Sequence, residues 1–208
     1  MSAWVRGMQS FCEYYSGNYV GALEYATNGM RYAGSGLQSV RLLSNGAARA
    51  MGKLGDTDGV HRAIEQALQS LDCQSQVPTT PSSIGLAGYN LAQVAGNAAT
   101  AYVAADEPLK VAEFVEIALS GTAQSDSPWG RSLILLDYAS AVLNSKSGDP
   151  YQSMTIAQDA LAISADRPIS SVHLRALEFA RKLRRIWGPL KGVDEFHEAI
   201  VQMGRFDA

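Results

Sequence analysis

Apolar residues recur along this chain every three to four positions, and five times a small or turn-forming pair breaks the pattern before it resumes. The clearest copy is Leu54-Gly55-Asp56 followed by Val60, Ile64, Ala67 and Leu68. It predicts a helix, a tight turn and a second helix whose packing face carries small residues. Ser16-Gly17-Asn18 stands likewise before Ala22, Ala26 and Gly29, and Ala105-Asp106-Glu107 before Val111, Val115 and Ala118-Leu119. Gly148-Asp149 precedes Ser153, Ala157 and Ala160-Leu161, and Trp187-Gly188 precedes Val193, His197 and Ile200. The pattern predicts five helical hairpins and an all-α fold.

With Ala22, Val60, Val111, Ser153 and Val193 as equivalent positions, the spacings are 38, 51, 42 and 40 residues, the scale of two-helix solenoid repeats. The long interval holds Cys73-Gln74-Ser75-Gln76-Val77-Pro78-Thr79-Thr80-Pro81-Ser82-Ser83, a polar stretch whose two prolines stop a helix.

Leu54-Gly55-Asp56, Val60, Ile64 and Ala67-Leu68 resemble the tetratricopeptide repeat, which places Leu-Gly before its turn and Ala-Leu late in its second helix. The first-helix Trp and Tyr of that repeat are mostly missing here. The resemblance implies one domain over residues 1–208, a right-handed solenoid of about five hairpins. Ser127-Pro128-Trp129-Gly130-Arg131, Asp137 to Leu143, Gln158-Asp159-Ala160-Leu161, Asp166-Arg167-Pro168-Ile169 and Ser170 to Arg185 further resemble the C-terminal region of actinobacterial lambda-repressor-type regulators. In those proteins a helix-turn-helix DNA-binding domain precedes a helical repeat region that senses a ligand or partner. This sequence carries the second part, without the DNA-binding domain.

Composition narrows the class. Lys and Arg number 17 against 20 Asp and Glu, a net charge of −3, which opposes a sequence-independent grip on nucleic acid. The local exception is Arg175, Arg181, Lys182, Arg184 and Arg185 on one predicted helix, which read as a solvated face and dipole partners at the helix end. Cys12 and Cys73 fall in different repeats and imply neither a zinc site nor a disulfide framework. No apolar run approaches about 18 residues and the N-terminus lacks the order of a signal peptide. The expectation is a cytoplasmic protein with no membrane contact, metal or cofactor.

Catalytic groupings are not visible. His61, His173 and His197 fall on separate predicted helices, and no serine stands in a nucleophile elbow. Ser170-Ser171 beside His173 reads as a helix N-terminus, and Gly34-Ser35-Gly36 as a helix cap before the next repeat.

Binding residues follow from helical spacing, because stacked hairpins line one concave face with their first helices. Asn45, Arg49 and Lys53 recur at i, i+4 and i+8, and Asn90, Gln93 and Asn97 at i, i+3 and i+7. Such amides and a guanidinium suit peptide main chain or a carboxylate; the same stripes also suit the solvated face of any amphipathic helix. Tyr89 and Tyr138 can stack on or hydrogen-bond a ligand. Arg175, Glu178 and Lys182 can close one end of the groove, or Glu178 and Lys182 can form an ordinary i,i+4 pair.

Seven aromatics, Trp4, Phe11, Tyr14, Tyr15, Tyr19, Tyr25 and Tyr32, crowd the first 32 residues. Trp4, Met8, Phe11 and Tyr15 share a helix face that the next helix can cover, while Tyr14, Tyr25 and Tyr32 lie on others. An aromatic solenoid end implies a cover, so these three are expected to dock a preceding segment or a second subunit in a homodimer. The expected function is non-enzymatic: peptide, small-molecule or protein recognition in the groove, as the sensing half of a bacterial transcriptional regulator. The alternative is a free-standing adaptor or scaffold.

Overall fold

The structure is a computed structural model that describes residues 2–75, 89–121, 128–146, 148–167, 169–188 and 192–203. Every regular element among them is a helix. Ten helices follow in order: α1 (Ser2–Tyr15), α2 (Tyr19–Ala33), α3 (37–54), α4 (Thr57–Ser75), α5 (Leu91–Ala104), α6 (Pro108–Gly121), α7 (Pro128–Asn144), α8 (Pro150–Ile163), α9 (Ser170–Trp187) and α10 (Val193–Met203). The third is composite, with a π-helical stretch, Leu42–Ala48, between α-helical Leu37–Arg41 and Arg49–Leu54. Of the proline-containing stretch after α4, residues 76–83 lie outside the described residues, as do Ser127 and Pro168.

Three of the predicted turns share one geometry. The N–H of Gly17 donates to Tyr14 and that of Asn18 to Glu13; Gly55 and Asp56 donate to Gly52 and Met51, and Asp106 and Glu107 to Val103 and Tyr102. This pair of bonds ends a helix by satisfying its last carbonyls, and it needs a left-handed residue. Gly17 and Gly55 supply it at φ +85° and +78°, and Asp106 adopts it at +59°. After the first two of these turns, and after Gly148-Asp149, the next helix starts on a side-chain cap. Asn18 accepts from Gly21 N, Asp56 from Gly59 N, and Asp149 from Tyr151 N and Gln152 N. Pro150 occupies the first turn of α8, where its missing N–H costs nothing.

The second helix of each pair buries the predicted face. Ala22, Val60, Val111, Ser153 and Val193 are all fully buried, and so are Ala67, Ala118, Ala160 and Ile200 seven residues on. In α10 the middle position is filled by Phe196, with His197 only half-buried. Small residues set close approaches elsewhere: a Cβ on Gly52 of α3 would lie 2.5 Å from the carbonyl oxygen of Ala101 in α5.

Consecutive helices pack together, and α3 also packs on α5, α5 on α7, and α7 on α9. One apolar cluster joins α3 to α7 and a second joins α7 to α10. The seventh helix serves both, with Ile134 and Ala141 on one side and Leu136, Ala139 and Leu143 on the other, as expected of a helix apolar nearly all round. A small third cluster holds Tyr14, Ala22 and Ala50. No described helix is long and apolar enough to cross a membrane.

The N-terminal aromatic face differs from expectation. The buried residues of α1 are Ala3, Ser10 and Tyr14; Tyr14 clusters with Ala22 of α2, and Ser10 Oγ donates to Ala22 O. The expected face of Trp4, Met8, Phe11 and Tyr15 is not the one α2 buries. Phe11 remains 40% exposed, and Met8 and Tyr15 reach α3, where Arg41 and Arg49 donate to them.

Candidate functional site

Two adjoining cavities, of ≈ 510 and ≈ 380 Å³, lie where α3, α5, α7 and α9 face one another. Both are lined by Tyr15, Thr100, Asp137 and Arg175, which stand between them. Arg175 Nη1 donates to Asp137 Oδ2 at 2.7 Å and to Thr100 Oγ1 at 3.1 Å, and Thr100 Oγ1 donates to Asp137 Oδ2 at 2.7 Å. Asp137 is almost wholly buried inside an apolar helix. Burial raises its pKa above the usual carboxylate range, opposed by the Arg175 charge and the Thr100 hydroxyl.

The smaller cavity is built by α3, α5 and α7, with Tyr15 and Arg175. Arg49, 5% exposed, donates from Nη1 to Asn45 Oδ1 at 2.6 Å and from Nη2 to the Tyr15 hydroxyl at 3.2 Å. Its guanidinium lies 4.2 Å from the centroid of the Tyr14 ring, a cation–π contact. Burial pulls the Arg49 pKa down, yet Tyr14 and Tyr15 more than restore it. The Tyr89 hydroxyl sits 2.7 Å from Ser44 Oγ and accepts from Asn97 Nδ2 at 3.1 Å. Burial raises the Tyr89 pKa against the pull of Ser44, Arg41 and Asn97. Gln93, Asn97 and Arg131 complete the polar lining, beside Ala92, Leu133 and Ile134.

The larger cavity lies between the α1–α2 turn and α9. Lys53 reaches Glu178 at 3.4 Å, 125 positions away in sequence, and Lys182 comes within 4.0 Å of Asp106. Lys53 is also drawn upward in pKa by Tyr14 and Glu178, which outweigh its burial; Lys182 is lowered, mainly by burial.

Nine predicted groove residues therefore meet: Asn45, Arg49, Tyr89, Gln93 and Asn97 line the smaller cavity, Lys53, Glu178 and Lys182 the larger, and Arg175 both. Two do not join them. Asn90 precedes α5 and caps it, accepting from Ala92 N and Gln93 N while Gln93 Oε1 accepts from its own N–H; an N-cap has its side chain committed to the backbone. Tyr138 packs toward α6 and α8, beside Glu113, Glu116, Leu119, Leu135, Ile156 and Asp159 in a separate depression.

The expected docking trio also separates. Tyr14 is buried beneath Arg49 and against Tyr15 and Tyr19, so it is an interior residue of this chain. Tyr25 is half-buried, with Arg6 over its ring at 5.4 Å, while Tyr32 is 57% exposed.

Spacing alone missed Tyr15, Thr100, Arg131 and Asp137. For Asp137 a signal existed: one carboxylate within Ser132-Leu133-Ile134-Leu135-Leu136-Asp137-Tyr138-Ala139 has to be buried, and a buried charge has to be paired. For the others the signal lies in contacts between helices distant in sequence. Among the described residues no group of acidic, His and Cys side chains could hold a metal ion. Comparison with known proteins finds no matching family model, no matching curated protein and no matching solved structure.

Proposed function

We propose that the ten helices form a tetratricopeptide-like, right-handed array of five hairpins whose inner face recognises a ligand without chemical turnover. The observation that carries this reading is the convergence of polar side chains from α3, α5 and α9, picked by helical spacing, on two adjoining cavities within one hollow. Their chemistry is that of recognition: amides, tyrosine hydroxyls and arginines positioned by hydrogen bonds to one another. The resemblance of the C-terminal third to lambda-repressor-type regulators supports placing this activity in the sensing half of a bacterial transcriptional regulator, cytoplasmic and acting as a homodimer.

Ligand in the hollow would act by favouring one relative placement of the first and last hairpins, since both contribute to its walls. A difference in affinity between two placements of about 1.4 kcal/mol shifts their populations tenfold.

Native mass spectrometry of the protein purified from its host tests the reading. A dimer that releases a small molecule or peptide on mild denaturation is expected. A monomer that arrives empty but captures a protein partner at the same residues would move the assignment to an adaptor.

A further inference from the structure

The smaller cavity contains more positive charge than it answers. Arg49, Arg131 and Arg175 line it against one carboxylate, Asp137, and Arg175 already holds that carboxylate at 2.7 Å. Arg49 forms no ion pair among the described residues; its two hydrogen bonds go to neutral partners, and its buried Nε has none. Eight positions before Arg49, in a small depression that shares Asn45 with the cavity, Arg41 donates only to the Met8 thioether among the described residues, and its Nη1 is buried without a partner. A chain of net charge −3 does not collect such arginines beside one hollow through general basicity. Buried cations are costly unless an anion meets them.

Resting on the groove reading above, we infer that the smaller cavity takes a small organic anion, a carboxylate or its equivalent on an apolar or aromatic body, whose charge is met by Arg49. The volume of ≈ 380 Å³ falls in the range of small-molecule sites, roughly 300–1,000 Å³. Tyr15, Thr100, Asp137 and Arg175 line both cavities and mark the boundary between the smaller and the larger. Leu133, Ile134 and Ala92 provide an apolar wall for the body of the ligand, and the Tyr89 ring an aromatic one. Asn97 and Gln93 can bond polar substituents on that body.

The test is calorimetric titration of the full chain with naphthoate and with its neutral isostere naphthamide, alongside an alanine-rich heptapeptide with a free C-terminal carboxylate. Naphthoate is expected to bind at least about tenfold more tightly than naphthamide, the worth of a hydrogen bond to a charged group. Arg49→Gln should remove that preference, whereas Arg62→Gln, on the exposed face of α4, should keep it. If Arg49→Gln does not fold, the acid-to-amide ratio on the unaltered chain still decides. Equal binding of acid and amide overturns the inference. Binding of the peptide but not naphthoate also overturns it while leaving the groove reading intact. No binding of either probe, with no ligand retained from the host, overturns both.

Discussion

At the scale of single residues, the Arg175–Asp137 pair governs the hollow. Removing one member of a buried pair strands the other, at a cost of about 3–5 kcal/mol. Arg175→Met is therefore expected to lower the free energy of unfolding by that amount in urea titrations at neutral pH, and Arg175→Met with Asp137→Asn to recover most of it. The loss should shrink in acid. Burial raises the folded pKa of Asp137, so the stranded carboxyl takes up a proton as pH falls and ceases to be a buried charge. Tyr102 makes the opposite limb of the profile. Its hydroxyl lies 2.9 Å from His61 Nδ1, and burial, with Glu113, Glu107 and Glu65 nearby, pushes its pKa up to about 12. The unfolded phenol ionises near pH 10 and the folded one does not, so stability is full below about pH 10 and is lost as pH climbs towards the folded value. At 1.36 kcal/mol per unit the loss reaches about 2–3 kcal/mol. Denaturation midpoints measured across this window should fall for the native sequence and fall less for Tyr102→Phe.

At the scale of elements, two glycines three residues apart where α3 turns into α4 differ in what they are for. Gly55 sits at φ +78° with open space where a methyl group would stand, so Gly55→Ala should cost about 1–2 kcal/mol through backbone strain alone. Gly52 has ordinary helical surroundings but a Cβ there would meet the Ala101 carbonyl oxygen at 2.5 Å, so Gly52→Ala must separate α3 from α5, at about 1–3 kcal/mol or more. Thermal or urea unfolding of the two variants reads both costs. Only the second change should also weaken naphthoate binding, because α3 and α5 carry the cavity wall. The turn was legible in Leu54-Gly55-Asp56 because its chemistry is local. The role of Gly52 was not, since nothing near it in sequence announces the approach of α5. The π-helical stretch of α3 was likewise hidden: Leu42–Ala48 has an ordinary helical pattern, and its extra width becomes visible only in the folded chain. Asn90 was misplaced for the converse reason, since Asn three residues before Gln reads equally as a helix face or as a capping box.

At the scale of the whole molecule, the all-helical architecture of the described residues was legible, because second helices repeat one packing face. The cavity partition was half legible: Arg175 could be picked by spacing, whereas its pairing with Asp137 and Thr100 depends on how α5, α7 and α9 come together. The same distinction predicts what keeps the hollow closed. Lys53–Glu178 joins α3 to α9 directly, but the glutamate side chain is 61% exposed, and exposed pairs contribute about 0–1 kcal/mol and weaken with salt. Arg175–Asp137, with side chains 13% and 3% exposed, is shielded from that screening. A double-mutant cycle on Lys53→Ala and Glu178→Ala should therefore give a coupling under about 1 kcal/mol that vanishes in molar salt, while the cycle on Arg175 and Asp137 retains most of its coupling there. If the exposed pair proved the stronger and salt-resistant one, closure would depend on the rim, and a ligand would have to part α3 from α9 to enter. If the buried pair dominates, the rim of the larger cavity can open in solution while Arg175 and Asp137 stay together between the two cavities, and the Arg49 side of the hollow is unaffected.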